Sequence, residues 1–318
     1  MESIQYIKSR LGAVNNIGTI TRAMEVVSAT KMRKSQGLAL ESRPYAYATL
    51  KALADLLLHA PSAQLENSAL IAPRKLNLRG SLTSGTVTLL VLVASDRGLA
   101  GSFNTNVMRT ADKYINENPG DYRVILVGKK LAGWATRNKI RVEMMFTDFG
   151  DYADPAEVSP LSSLVVEGFL VGNWNKVVAI STHFKTTLNQ VTLTRELLPM
   201  HIDMIKDTVR EIVPEHGRYS EYRNDLVSNL QFANRETEYI FEPSPEKVLE
   251  TLLPHLLNMQ LFHLILEANA SEHSARMVAM KNASENASEL SGELTLEFNK
   301  ARQATITKEM IEITSAII

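Results

Sequence analysis

The spacing of apolar residues at the N-terminal end of the chain predicts a long amphipathic helix. These residues recur every three or four positions, at Ile4, Ile7, Leu11, Val14, Ile17, Ile20, Met24 and Val27. The step from Val14 to Ile17 is three residues where four was due, so we expect a coiled-coil stammer at Ile17. We also expect a kink or a joint at Pro44, because proline lacks an amide donor and clashes with the preceding helical turn.

A longer pattern of the same kind closes the chain, from Leu252 to Ile318. After Pro254 it contains no proline and only one glycine, Gly292. Its stripe is narrow and consists of Met280, Ala283, Ala287, Leu290, Leu294, Ala301, Ala304 and Ile311. A helix of about 60 to 65 residues would be on the order of 100 Å long, several times the length of an ordinary helix. Such a helix needs a partner to bury its stripe.

Between these helices the pattern alternates between strands and helices. Apolar, strand-sized runs cover Val87–Ala94, Val124–Val127, Arg141–Phe146 and Lys176–His183, and Gln190–Leu197 alternates like an edge strand. This order predicts a mostly parallel sheet covered by helices. The expected fold class is α/β, an antiparallel coiled coil of long N- and C-terminal helices with an inserted Rossmann-like α/β module.

The expected domains follow from these patterns. Residues 1–60 form the N-terminal coiled-coil helix, 61–243 the central module with a linker near 61–80 and an insertion near 200–233, and 244–318 the C-terminal helix. Ser244 is a suitable N-cap for that last helix, with Pro245 at its first position.

Composition and charge exclude several classes of protein. A net charge of −1 argues against general binding to nucleic acid or to an anionic membrane surface. No apolar run approaches the length of a membrane span, and the absence of cysteine removes disulfides and thiolate metal sites. The N-terminus enters a helical pattern without a targeting segment. We therefore expect a cytoplasmic protein.

Catalytic and cofactor motifs are absent from the sequence. The turn from Asp96 to Ser102 resembles a phosphate loop in outline, yet neither G-x-x-x-x-G-K-[ST] nor G-x-G-x-x-G occurs. His255 and His263 lie in an apolar stretch, where packing is a better interpretation than metal ligation. We expect no catalytic residue, no cofactor and no metal.

Five segments together resemble the gamma subunit of F-type ATP synthases of the bacterial type. They are Ile7–Arg10, Thr21–Arg33, Ser95–Asn104, Glu272–Ala283 and Asn299–Glu309. The resemblance implies a noncatalytic rotor stalk whose paired helices lie inside a ring of three alpha and three beta subunits. The module would sit with the epsilon subunit on the c-ring, peripheral to the cytoplasmic face of the membrane.

The resemblance also implies two sets of contact residues. Contacts to the lever and catch loops of the beta subunits would be made by Met24, Arg302, Gln303 and Thr307. The foot facing the c-ring would contain Tyr239, Phe241 and Glu242.

A ladder of like charges suggests how the two helices are aligned. Glu285, Glu289, Glu293 and Glu297 recur every four residues, each step costing about 0.2–0.5 kcal/mol in an isolated helix. A register that puts Met24 near Arg302 would set Lys31, Arg33 and Lys34 beside Glu289 and Glu293. The alternative is that the ladder is solvated or meets basic residues of the stator.

Two other classes of function compete with the stalk. An α/β enzyme would use Asp96, Arg97 and Ser102 in a cleft at the switch point of the sheet. A static coiled-coil scaffold would assemble without rotating. The absence of catalytic motifs disfavours the enzyme, and the narrow stripe on an over-long helix disfavours an independent globular protein. The stalk is therefore the expected function.

Overall fold

Two very long helices dominate the computed structural model, which describes residues 3–59, 70–71, 87–150, 154–200, 242 and 244–315. Helix α1 spans Ile4–His59 and helix α5 spans Pro245–Ser315, which is 71 residues or about 105 Å at 1.5 Å per residue. The predicted linker, apart from residues 70–71, and the predicted insertion, apart from residue 200, lie outside the described residues.

The elements between the two long helices form one sheet with helices on both faces. The strands are β1 Val87–Val93, β2 Asp121–Val127, β3 Arg141–Phe146, β4 Lys176–Phe184 and β5 Gln190–Leu198. The helices are α2 Phe103–Glu117, α3 Ala132–Arg137 and α4 Pro155–Val171. The strand order is β3-β2-β1-β4-β5, with β5 antiparallel to β4 and the other pairs parallel. The predicted α/β class is confirmed, including the antiparallel edge strand.

The start of α5 follows the predicted capping chemistry. The Lys247 N–H donates to Ser244 Oγ at 3.4 Å, and the Val248 N–H donates to the Ser244 carbonyl at 3.1 Å. Pro245 at the first helical position needs no amide partner. Pro44, where a kink or joint was predicted, lies within an α1 that is unbroken from Ile4 to His59.

The buried face of α1 contradicts the predicted stammer. Ile17, Ile20 and Val27 are 53%, 59% and 54% exposed. The face toward α5 instead keeps a strict alternation of four- and three-residue steps, through Ile7, Leu11, Val14, Gly18, Thr21, Glu25, Ser28, Met32 and Ser35. The apolar residues alone suggest a shift in spacing because small and polar residues occupy several positions of the buried stripe.

Small residues allow the two helices to approach closely in this stripe. A Cβ built on Gly18 would lie 3.4 Å from the Ala287 Cβ. The Thr21 hydroxyl donates to the carbonyls of Ile17 and Gly18, at 3.0 and 3.1 Å, so its burial leaves no unsatisfied donor. Packing of this kind depends on the partner helix and is invisible in the hydropathy pattern.

The register of the antiparallel pair is set by contacts along its length. Gly18 faces Ala287, and Ser291 Oγ donates to Asn15 Oδ1 at 2.7 Å. Moving from Asn15 to Met24 along α1 therefore moves back from Ser291 to about Asn282 along α5. The expected proximity of Met24 to Arg302 is wrong, because the two lie about 30 Å apart along the axis.

The predicted register pairing of charges is wrong for the same reason. Lys31 shares a cleft with Glu272, His273 and Arg276, about 20 Å along the axis from Glu289 at 1.5 Å per residue. Arg33 and Lys34 follow Lys31 on α1, whereas Glu289 and Glu293 lie near the level of Asn15. Both glutamates are exposed, so the ladder belongs to the outer surface of the described coil.

Helix α5 forms part of the core of the module as well as the coiled coil. On one face of the sheet it packs with α4 through a group of buried residues, Leu253, Leu256, Leu257, Leu261, Leu264 and Ile265. On the other face α2 and α3 pack through Val107 and Trp134. Each fully buried leucine contributes about 1.5–3 kcal/mol. The module is therefore built directly on the long helix.

None of the helices in the described ranges contains a stretch long and apolar enough to cross a membrane.

Candidate functional site

The loops at the carboxyl ends of the parallel strands lie against the coiled coil, and we call this region the shoulder, residues 95–102, 128–130 and 147–150. Asp96 joins its three loops. Asp96 Oδ1 accepts from the Lys129 N–H at 3.0 Å, and Oδ2 accepts from the Asp148 N–H at 2.8 Å. Both carboxylate oxygens are thus committed to backbone amides, so Asp96 holds the loops together.

The Gly-rich turn of the shoulder serves packing. Gly101 has φ +55°, and a Cβ there would lie 3.8 Å from the Ala279 Cβ on α5. The Ser95 hydroxyl donates to the Arg97 carbonyl at 2.6 Å, and the Ser95 N–H donates to Asn104 Oδ1 at 3.0 Å. The turn is therefore folded on itself and against the shaft. Ser102 accepts from the Asn106 amide at 3.3 Å.

The shoulder is tied to α5 by a buried arginine. Arg276 is 6% exposed, and its Nε and Nη2 donate to the Gly98 carbonyl, both at 3.3 Å. Nη2 also lies 3.4 Å from the Arg97 carbonyl and 2.5 Å from Glu272 Oε1. Two of the sequence segments that carried the resemblance, Ser95–Asn104 and Glu272–Ala283, therefore meet in one hydrogen-bonded contact.

A cleft of about 600 Å³ lies between the shoulder and the coiled coil. Its walls carry both signs of charge, with Lys31, Arg97 and Arg276 near Asp148 and Glu272. The Lys129 ammonium contacts both carboxylate oxygens of Asp148, at 3.0 and 3.1 Å, and lowers the pKa of this exposed carboxyl. Within the described residues no group of three or more His, Cys, Asp or Glu side chains could hold a metal ion.

A buried ionic cluster joins α5 to the sheet below the shoulder. Glu267 of α5 is 2% exposed, and its Oε2 lies 2.8 Å from Nδ1 of His183 on β4 and 3.6 Å from Nη1 of Arg195 on β5. Its Oε1 lies 3.2 Å from Nε2 of His263, one helical turn earlier. Burial alone would raise the pKa of Glu267, but His263, His183 and Arg195 together hold it well below its usual range.

Sequence reasoning missed this cluster. The interpretation of His263 as a packing residue took no account of the acid four positions later, although an ionisable pair in an apolar stretch was a detectable signal. His255, interpreted in the same way, is exposed, and its Nε2 lies 2.7 Å from the Tyr45 hydroxyl of α1.

The residues assigned to the beta-subunit contact fall on two separate surfaces. Arg302, Gln303 and Thr307 are exposed at and beyond the level of Ile4, where α1 begins. The Thr307 hydroxyl donates to the Gln303 carbonyl at 2.9 Å. Met24 lies half-buried in the wall of the cleft.

Of the predicted foot, Glu242 is exposed, and Tyr239 and Phe241 lie outside the described residues.

Comparison with known proteins covers almost the whole chain. The ATP synthase family model matches residues 3–317. The ATP synthase gamma chain of Roseiflexus castenholzii is 37% identical over 318 residues, which is 99% of this chain and 97% of the relative. That of Moorella thermoacetica is 34% identical over 314 residues, covering 98% of this chain and 97% of the relative.

Solved structures share the fold at lower identity. The chain matches a cryo-EM structure of the central stalk and c-ring of Tetrahymena thermophila mitochondrial ATP synthase with a TM-score of 0.55 and 22% identity, covering 83% of this chain and 99% of that one. A rotor chain of the Euglena gracilis enzyme gives 0.60 and 17%, covering 95% and 98%. Sequence relatives and fold agree over the full length, and the chain belongs to the ATP synthase gamma-chain family.

Proposed function

We propose that the chain is the central rotor stalk of an ATP synthase and transmits torque between an ion-driven c-ring and the catalytic beta subunits. The observation that supports this is the double role of α5. One continuous helix packs in the module core through Leu253–Leu264 and also extends past its partner helix as far as Ser315. Because the module is built on the shaft, rotation of one is rotation of the other. The chain itself performs no chemistry.

The upper contact surface of the stalk is the C-terminal end of α5, at and beyond the level where the described part of α1 begins. At 100° per residue, Arg302, Gln303 and Thr307 lie within about 140° of arc on the helix. All three are exposed, and a guanidinium presents several donors in a planar fork suited to carboxylates on a moving loop. These residues contact the catch loops of the three beta subunits in turn.

A second contact surface lies about 30 Å lower along the axis, at the cleft. Met24 shares this cleft with Arg97 and Arg276 of the shoulder and shaft. We assign this surface to the lever of a beta subunit, which the resemblance implies for Met24. The two levels of contact act on the same shaft, so a push at either level turns the whole stalk.

The resemblance assigns Tyr239, Phe241 and Glu242 to a foot, and of these the described Glu242 is exposed. In this proposal the foot contacts the c-ring and the epsilon subunit and holds the chain at the cytoplasmic face of the cell membrane as a peripheral subunit. The surrounding alpha and beta subunits, three of each, form the stator around the coiled coil.

The competing interpretation as an enzyme loses Asp96, the carboxylate that it would use at the switch-point cleft. Both oxygens of Asp96 accept backbone amides, and the Arg97 carbonyl accepts from Ser95 and lies 3.4 Å from Arg276. These contacts favour a structural role for the turn. A static scaffold has no need of an exposed helix end that extends beyond the described part of its partner helix.

Arg302→Ala in the assembled complex tests the upper contact. Lys308 is the matched control, because it is another exposed cation and lies on the far side of α5, about 170° from the middle of the arc that holds the three contact residues. ATP synthesis driven by an ion gradient in membrane vesicles should fall at least five-fold for Arg302→Ala and stay near the parent rate for Lys308→Ala. Unchanged synthesis in Arg302→Ala would refute the contact.

A further inference from the structure

The apolar contact between α5 and the module does not define one position of the helix by itself. Leu253, Leu257, Leu261 and Leu264 follow one another at steps of four and three residues and are buried against the sheet and α4. Moving α5 along its axis by one turn, about 5.4 Å, would put each leucine near the former position of its neighbour. Since hydrophobic attraction is non-directional, this ladder opposes separation of the two parts more strongly than it opposes slippage.

A line of polar contacts on the same helix does define one position. We call it the polar seam, and it consists of Glu267, Ser271 and Ser274, at steps of four and three residues. The Ser271 hydroxyl donates to the Thr182 carbonyl at 3.3 Å, and the Ser274 hydroxyl donates to the Thr187 carbonyl at 2.6 Å. All three seam residues are at most 2% exposed. The seam therefore runs along β4 and the turn that follows it.

Glu267 is the one seam residue that carries a charge. It contacts two strands at once, through His183 Nδ1 of β4 at 2.8 Å and Arg195 Nη1 of β5 at 3.6 Å. As an ionised carboxylate Glu267 only accepts hydrogen bonds, so His183 Nδ1–H is the donor. A rotation of α5 by one residue, or a slip by one turn, would carry this carboxylate away from His183 and Arg195. It would keep only His263, which lies on the same helix and moves with it, so the loss of the two strand partners inside the core is strongly unfavourable.

We propose that Glu267 is a positioning residue that locks the shaft helix to the module against slippage under torque. Torque that enters at the foot of the module reaches the shaft through the contact between the sheet and α5. The leucine ladder holds the two parts together, and the Glu267–His183–Arg195 contact fixes their relative angle and height. Arg276, bonded to the Gly98 carbonyl, holds the helix to the shoulder near the upper end of the same contact.

The lock is tested in the complete complex, with the chain assembled with its own alpha, beta, epsilon and c subunits in inverted membrane vesicles. Two quantities are measured on the same vesicles: the rate of ATP hydrolysis and the membrane potential that ATP generates, followed with an oxonol dye. Their ratio reports coupling for either transported ion. Glu267→Gln keeps the shape of the side chain and removes its charge, and we expect it to lower this ratio at least two-fold while hydrolysis continues.

His183 provides a pair of variants that separates the hydrogen bond from packing. The side chain introduced by His183→Asn would place an amide N–H near the position of the ring Nδ1–H, whereas leucine offers no donor. We expect His183→Leu to lower the coupling ratio at least two-fold and His183→Asn to restore most of it. This pair decides the question even if Glu267→Gln fails to assemble.

Leu126→Ala is the control for lost stability. Leu126 is 1% exposed in the core on the opposite face of the sheet, so its truncation destabilises the module without touching the seam. It should lower the melting temperature and leave the coupling ratio near the parent value. The lock is wrong if Leu126→Ala lowers the ratio as much as His183→Leu, if His183→Leu keeps the parent ratio, or if His183→Asn couples as poorly as His183→Leu.

Discussion

Replacing Gly128 by alanine tests the close backbone approach on which the shoulder of the module depends. Gly128 follows β2 with φ 101° and ψ 136°, a conformation that L-residues rarely adopt. A Cβ at this position would lie 2.3 Å from the Ala94 carbonyl oxygen and 2.9 Å from that of Ser95. Both obstacles are backbone atoms, so no side-chain rotation relieves them.

The expected magnitude combines two contributions. A non-glycine residue held in such a region of backbone space costs about 1–3 kcal/mol, and forcing atoms into a filled space costs about 1–3 kcal/mol more. The neighbouring bonds cannot yield freely, because the Gly128 N–H donates to Phe146 O at 2.9 Å and the Ala94 N–H to Val127 O at 2.8 Å. We expect Gly128→Ala to lower the free energy of unfolding by about 2–6 kcal/mol.

The assay is thermal unfolding of the purified chain, followed by far-ultraviolet circular dichroism. For a chain of 318 residues the melting temperature should fall by roughly 3–9 °C. Gly133→Ala is the control, because Gly133 lies inside α3 with nothing within 4 Å of a built Cβ, and it should be neutral or stabilising by about 0.4–1 kcal/mol. Equal melting temperatures for the two variants would refute the role assigned to Gly128.

Three further outcomes follow from other parts of the molecule. A Cβ on Gly168 would lie 2.0 Å from Cζ2 of the buried Trp174. Gly168→Ala should therefore lower the free energy of unfolding by about 1–3 kcal/mol, measured as a lower denaturant midpoint. An unchanged midpoint would show that the ring has room to move. The pKa of Glu267 is lower in the folded chain than its ordinary value of 4.5. The ionised carboxylate therefore contributes to folding stability above about pH 4.5, and this contribution is lost as the pH falls below that value. Between about pH 7 and about pH 3.5 the melting temperature of the parent should therefore fall further than that of Glu267→Gln. Parallel curves of melting temperature against pH for the two proteins would contradict this. Reversing the exposed Glu289 and Glu293 to lysine should change stability by no more than about 0.5 kcal/mol in chemical denaturation, and a larger loss would revive the discarded pairing with α1.

The predicted contact residues differ in how well the sequence could place them. The family motif identifies Arg302, Gln303 and Thr307, and helical geometry alone puts them on one part of the last helix. The motif could not give their distance from Met24, because that distance depends on how the two helices are aligned. The proposed charge pairing gave a wrong alignment, since exposed charges in water attract each other too weakly to set it.

The sequence by itself determined the local elements and their order. Strand and helix periods, the Ser244 cap and the alternating Gln190–Leu197 edge are short-range patterns, and backbone geometry converts them directly into the α/β module between two long helices. The segment motifs were sufficient to indicate the family, because they are contiguous and depend on no contact between distant residues.

Only the tertiary structure decided which face of α1 is buried and how α5 is fixed to the sheet. Thr21 and Ser28 are buried in the stripe, and Gly18 faces the Ala287 Cβ of α5. These residues became part of the stripe because α5 packs against them, a condition that hydropathy does not encode. Glu267 and His183 lie 84 residues apart in the chain, and their chemistry appears only when folding brings α5 onto β4 and excludes water from both.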